Sequence, residues 1–230
     1  VSTSRLTGIA DLRPEDGVAV VRAGTLVEDL LQEVGGHGLT LPLAIGLPRE
    51  VSQRSGTVGG LFATGLPHAH EASFGPSRDW VLGMTVVRGD GSVCQVGSHV
   101  LKSVAGFDIH RFAVGSRGAL FAIAEVVIRL RRVSSLTSPQ VQVVSPAPVG
   151  FVGRTLPDHL AGVLNAQKGV VATDPGGLFW TSEPITADLG PGWWIGPGGT
   201  RSRVQNPSLE LAAKETMDPT GRFEGGWLDA

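Results

Sequence analysis

The amino-acid sequence predicts an α+β fold. Three observations predict it: a strand running straight into an amphipathic helix between residues 17 and 36, a strand–turn–strand unit between 81 and 96, and strict apolar alternation from Leu120 to Leu130. Composition sets the frame. A chain of 230 residues can bury a sizeable core as one domain, or as a main domain with a smaller lobe. Hydrophobic residues at 41% and charged ones at 17% exclude disorder of the whole chain. A net charge of −2 without a lysine or arginine run gives no support to a nucleic-acid surface.

The stretch "GVAVVRAG" (17–24) forms the first clear strand and ends on a glycine. Directly after it, Thr25 with Glu28 three residues on has the pattern of a capping box. The helix that follows places Leu26, Leu30, Leu31 and Val34 on one face and stops at Gly35–Gly36. Residues 39–54 carry two prolines and no period, which predicts a loop. Val81–Val87 and Ser92–Val96 are the strands of a hairpin, and Asp90–Gly91 suits a primed turn. "FDIHRFAVGSRG" predicts a short helix stopped at Gly115. Beyond it, Leu120, Ala122, Ala124, Val126, Ile128 and Leu130 form one apolar face of a long strand, with Arg129 and Arg131 on the other.

Composition shifts near Val133. Residues 134–150 resemble a linker with one short strand; 158–167 suit a helix, 177–185 and 192–205 strands of a small sheet, and 208–217 a terminal helix. The division expected is therefore 1–133 and 134–230.

Cys94 is the single cysteine, so the chain holds no internal disulfide and no cysteine-bound iron–sulfur cluster of its own; its apolar surroundings predict a buried thiol. No apolar run reaches the ~18 residues of a membrane helix. The opening "VSTSRLTGIA" lacks the basic-then-apolar order of a signal peptide, so a cytosolic location is expected, with any membrane contact made through partner subunits.

The stretch "SGTVGGLFATG" (55–65) packs four glycines and two threonines into eleven positions. Bare backbone of this kind serves either a turn with unusual dihedrals or an anion laid against main-chain N–H groups, with Thr57 and Thr64 adding hydroxyl donors. The stretch lacks the P-loop lysine and does not fit G-x-G-x-x-G, so local chemistry leaves both readings open.

Taken in order, "SGTVGGLFATG", "FGPSRDWVLGMTVVRGDGSV" and "VLKSVAGFDIHRFAVGSRGALFAIAEVVIRL" resemble the FAD-binding domain of the vanillyl-alcohol oxidase / p-cresol methylhydroxylase (PCMH) flavoprotein superfamily. Within it they resemble the FAD-binding E subunits of bacterial glycolate oxidase, with their G-G-T-x-G-G loop, G-x-x-R-D-x-V-L-G entry to a hairpin, K-x-V-A-G-Y-D, and G-S-x-G-x-L before a final E-V strand. The likeness runs from Val1 to about Leu130, and "AAKETMDPTGRFEGGW" is similar to the closing D-P-x-G-x-F-N-P-G. It implies a PCMH-type FAD-binding domain, N-terminally shortened, with a small C-terminal lobe.

Carried over residue by residue, the resemblance makes Ser55, Gly56, Thr57, Val58, Gly59 and Gly60 a loop facing the FAD pyrophosphate and ribityl chain, continued by Thr64 and Gly65. Gly75 and Asp79 fall in the turn before the hairpin, Gly115, Ser116 and Gly118 in a second glycine turn, and Val126 and Val127 on the strand passing the cofactor. Three departures stand out. The family's R-G-G-G-T loop does not occur, and the segment after 133 is short for a substrate cap and lacks its histidine and glutamate pattern. Phe107 replaces the usual tyrosine, and Glu224–Gly225–Gly226 replaces N-P-G.

The resemblance implies an accessory FAD-binding subunit of a glycolate oxidase (glycolate dehydrogenase) complex. In such a complex a small 2-hydroxy acid passes a hydride to flavin N5, beside a catalytic flavin subunit and a separate iron–sulfur subunit. The other reading is a flavin-free scaffold that docks those two subunits; a stand-alone flavin reductase is disfavoured by the short second segment. No catalytic acid or base and no metal site is legible. His68 and His70 have the spacing of two ligands on a strand, but no third ligand is near, and their polar loop predicts solvent exposure. Lys102, Asp108, His110 and Arg111 suit caps or salt bridges better than cofactor contacts, and Trp193–Trp194 either core or subunit contact.

Overall fold

The computed structural model describes residues 2–44, 56–68, 70–98, 109–136, 142–143, 145, 151–173, 177–189, 193–195, 212, 214–216 and 218. Ser55, Lys102, Phe107, Asp108, Glu224–Gly226 and most of the expected loop at 39–54 lie outside them. So does most of the expected terminal helix, of which Ala212 and 214–216 are helical.

In chain order the first elements are β1 (Ile9–Arg13), β2 (Val18–Arg22), α1 (Val27–Gly35), β3 (Leu39–Thr40), α2 (Val58–Thr64), α3 (Glu71–Phe74), β4 (Val81–Val87), β5 (Val93–Gly97), α4 (His110–Ala113), β6 (Ala122–Arg129) and β7 (Arg131–Arg132). They are followed by β8 (Gln142–Val143), β9 (Phe151–Arg154), α5 (Pro157–Ala166), β10 (Val170–Thr173), β11 (Leu178–Thr181) and β12 (Trp193–Ile195). Five strands form an antiparallel sheet in the order β1-β2-β6-β4-β5. A second antiparallel sheet has the order β12-β9-β11-β10-β8.

One face of the first sheet carries the main core. Ala19 and Val21 of β2, Met84 and Val86 of β4, and Val126 and Ile128 of β6 pack there with Val27, Leu30 and Val34 of α1 and Val58, Leu61 and Phe62 of α2. The other face holds a small cluster of Val18, Val20 and Val127 with Leu82. Val126 and Val127 are thus buried on opposite sides of the sheet, as the two-residue period of a strand requires. In the second lobe, Val163 of α5 packs on Phe179 of β11 and Leu189. Arg154 of β9 donates to the Glu71 carboxylate of α3, an ion pair linking the second sheet to α3.

Several local expectations are corrected. Thr25 does not cap α1: its hydroxyl accepts from the Gly8 N–H at 2.9 Å and donates to the Gly8 carbonyl at 3.2 Å. The first N–H of the helix, that of Val27, goes instead to the Gly56 carbonyl at 3.0 Å, and this shift buries Val27 while leaving Leu26 exposed. At the hairpin the Gly91 N–H bonds the Arg88 carbonyl at 3.0 Å and Asp90 keeps a negative φ. The turn is therefore centred on Gly89–Asp90 with Gly91 following at φ +86°, not a primed turn on Asp90–Gly91. Cys94 is half-buried against the core rather than enclosed. On β6 the alternation holds from Val126 onward, but register shifts where Thr85 pairs Glu125 and Val86 pairs Ile123. Ala124 is bulged out, so Ile123 takes the core position that strict alternation assigns to Ala122 and Ala124.

The largest correction concerns the two histidines. His68 and His70 are both buried, at 2% exposure each. His68 Nε2 lies 3.0 Å from the Gly75 carbonyl, which can only accept, so Nε2 carries the proton. The His70 ring packs at 5.8 Å from Phe74, whose other neighbours are Trp80, edge-on at 6.2 Å, and the Arg131 guanidinium at 5.0 Å. A turn that looks polar in sequence is folded inward, with the ring of His70 against Phe74. Burial pushes the His68 pKa down to about 4, against the partial support of the Gly75 carbonyl and with a further lowering from His70; burial also lowers His70.

Both rings are neutral in the folded state, while the unfolded chain takes up protons near pH 6.5. Stability is therefore full above about pH 6.5 and falls as pH drops toward 4, by an amount on the order of 3 kcal/mol for His68 alone. Urea midpoints measured from pH 7.5 to 4.5 should fall steeply for the natural chain. They should fall distinctly less for His68→Gln, which can still donate to Gly75 but does not titrate; equal slopes would show that His68 is not the titrating group.

Candidate functional site

The glycine-rich stretch folds as a turn entering a short helix. Thr57 is the N-cap of α2, its hydroxyl oxygen accepting from the Gly60 N–H at 3.2 Å, and Gly65 closes the helix in the left-handed conformation at φ 57°. Thr57 succeeds as a cap where Thr25 does not, because nothing else competes for its oxygen among the described residues.

The start of α2 is bound tightly to the end of β2. The Val58 N–H donates to the Thr25 carbonyl and the Gly59 N–H to the Ala23 carbonyl, both at 2.8 Å. With Gly60 bonded to Thr57, the first three N–H groups of the helix are all taken up by the chain itself. The expectation that the helix start would offer these groups to an anion is corrected to that extent. Among the described residues, the donors left at this end are the N–H groups of Gly56 and Thr57 and the hydroxyl proton of Thr57.

Geometry divides the predicted glycines into two kinds. A Cβ on Gly59 would lie 2.7 Å from the Ala23 Cβ and 2.9 Å from its carbonyl oxygen. On Gly65 it would lie 2.8 Å from the Gly115 nitrogen, and on Gly75, 2.9 Å from an Asp79 carboxylate oxygen. These three glycines permit close internal approach. Gly56, at φ +109°, and Gly118, at φ +79°, face open space instead. Gly115 meets nothing nearer than the Thr64 carbonyl at 4.0 Å, and exposed Gly60 meets only the Thr57 hydroxyl.

The end of the glycine-rich stretch, at Gly65, meets the second glycine turn at the C-terminal end of α2. The Gly115 N–H donates to Phe62 O at 3.0 Å and the Arg117 N–H to Ala63 O at 2.8 Å, satisfying carbonyls that the helix end leaves open. Arg117 is the one non-glycine with positive φ among the described residues, at 54°. Nothing in the sequence marks Arg117, Phe62 or Ala63, because their role is made by main-chain atoms.

The remaining predicted residues serve the frame. Thr64 donates its hydroxyl back to the Gly60 carbonyl at 2.9 Å. Ser116 is buried and donates to Ala113 O at 2.8 Å. Asp79 accepts from Arg111 at 3.2 Å, so Arg111 makes the salt bridge expected of it. Among the described residues no group of three potential metal ligands occurs. None of their helices is long and apolar enough to cross a membrane.

Residues 1–97 match the model of the family described as FAD binding domain. This part of the chain is similar to FAD binding domains. The fold is α+β, and the match indicates FAD as the cofactor. Similar proteins include glycolate oxidase subunit GlcD of Bacillus subtilis, 30% identical over 122 residues, which are 53% of this chain and 25% of that protein. Glycolate oxidase subunit GlcE of Escherichia coli is 32% identical over 123 residues, 54% of this chain and 34% of that one. A D-lactate dehydrogenase of Anaerostipes hadrus is 28% identical over 130 residues, 56% of this chain and 26% of that one. The chain thus spans about a quarter to a third of the length of these relatives.

The residues present fit a dinucleotide in one respect: open backbone lies at both ends of α2, at Gly56 and Gly60 on one side and Gly115 and Gly118 on the other. The internal glycines give a direct check of this division. Gly59→Val should cost ~3 kcal/mol or more, because the obstructing atoms include backbone that cannot turn aside. Gly60→Ala should stay within about 1 kcal/mol of the natural chain, helix propensity offsetting the contact with Thr57. Urea denaturation of both variants compares them; equal losses would contradict the division.

Proposed function

We propose that this chain is the FAD-binding accessory subunit of a complex of the glycolate oxidase type, in which a flavin oxidises a small 2-hydroxy acid. The observation that carries the reading is open backbone at the two ends of α2, at Gly56 and Gly60 within the segment 1–97 matched to an FAD binding domain and at Gly118 beyond that segment. The names of the relatives support the substrate class: glycolate and D-lactate are both 2-hydroxy acids. The catalytic and iron–sulfur subunits belong to this proposal as partners, in keeping with the single cysteine here.

In this reading Gly56, Thr57 and Gly60 face the cofactor's diphosphate, with the Thr57 hydroxyl and the N–H groups of Gly56 and Thr57 as donors. Gly118 lets a flat group approach the second turn without a side chain in the way. Gly59, Gly65 and Gly75 act through packing, holding the turns where the open glycines need them. Bound FAD would accept the electron pair of the substrate. Thr57 is the one described side chain at the turn with a proton free to point at a phosphate oxygen.

Fluorescence titration of the natural chain with FAD should give saturable quenching. Gly60→Val, which adds bulk only on the exposed side of α2, should weaken binding tenfold or more while melting within a few degrees of the natural chain. A chain that takes up no FAD yet co-purifies with the catalytic and iron–sulfur subunits would establish the scaffold reading in its place. Unaltered affinity in Gly60→Val would remove α2 from the site.

A further inference from the structure

The second glycine turn is held from two sides, and one of them comes from the far end of the chain. The Lys214 ammonium donates to the Ala119 carbonyl at 2.6 Å, across 95 positions of sequence, and to the Asp218 carboxylate at 2.8 Å. The pair lies one helical turn apart, with the Asp218 N–H bonded to Lys214 O at 2.8 Å. It is enclosed: the side chain of Lys214 is 16% exposed and that of Asp218 is 0% exposed. A carboxylate so buried is tolerable only with a fixed cation, so Asp218 holds Lys214 in place and Lys214 holds Ala119. Ala119 in turn donates to Ser116 O at 2.9 Å, closing the turn that contains Gly118.

On the opposite flank the same turn is tied to α2 through Gly115 and Arg117. Within the turn Gly115, Arg117 and Gly118 have positive φ, which an unrestrained chain populates rarely at the arginine. We propose that Lys214 is a positioning residue for the cofactor. From the C-terminal segment it fixes the turn of residues 115–119 so that Gly118 stays open toward the flavin. This rests on the reading of that turn as cofactor-facing, and it makes flavin affinity depend on a segment about a hundred residues away in sequence.

The test uses the full chain with Lys214→Met, Lys214→Arg and the double variant Lys214→Met/Asp218→Leu, which removes both charges of this pair together. FAD affinity is read by fluorescence quenching, and amide exchange at 115–119 is read before FAD is added. Lys214→Met and the double variant should bind FAD tenfold or more weakly and exchange faster at 117–119, with β2 and β6 unchanged. Lys214→Arg should recover most of both. A natural chain that binds FAD together with a double variant that binds equally overturns this inference alone. A natural chain that takes up no FAD overturns the reading beneath it and this inference with it.

Discussion

The contact on which the flavin lobe depends is the approach of Gly59 to Ala23. The Ala23 N–H is bonded to the Ala124 carbonyl at the bulge of β6, and its carbonyl accepts the Gly59 N–H, each at 2.8 Å. One residue thereby joins β2, β6 and the start of α2. A side chain at 59 would meet Ala23 at 2.7 Å, so only glycine lets the helix sit this low on the sheet. Once α2 is there, its far end supplies Phe62 and Ala63 carbonyls to the second glycine turn, so that the helix carries one turn at each end. The open backbone at Gly56, Gly60 and Gly118 follows from that placement.

A consequence is a helix whose amino terminus is already engaged. Anion sites at helix starts rely on N–H groups that lack partners, and here three of them have partners within the chain. The N–H groups left open at this end are those of Gly56 and Thr57. The N-terminal residues add to the enclosure of β2: the Gly24 N–H bonds the Leu6 carbonyl at 2.8 Å, and a Cβ at Gly24 would lie 2.0 Å from Thr3 O.

The imidazoles of the turn after α2 are handled mostly by burial. His68 keeps one hydrogen bond, to Gly75, and His70 is packed on Phe74 among rings and the Arg131 guanidinium. Neutral rings in such a place are consistent with their lowered pKa values. Beside them, the Arg154–Glu71 ion pair ties the second sheet to the same turn, so this part of the first lobe is a junction as well as a support.

The sequence by itself determined the α+β class, the presence and C-terminal end of α1, the strands of the β4–β5 hairpin, α5 and the two glycine turns with their likeness to FAD-binding domains. These are legible because apolar period, prolines and glycines act over a few residues. It did not determine which glycines face outward. Gly59 and Gly60 are adjacent and alike in sequence, yet one is closed by Ala23 and the other is exposed. Nor did it foresee that Thr25 would bond Gly8 instead of capping α1, that Ala124 would bulge, or that His68 and His70 would be buried. Each outcome was decided by a partner far away in sequence competing for the same hydrogen bond or the same volume. Local pattern carries no record of that competition, so only the tertiary structure decides it.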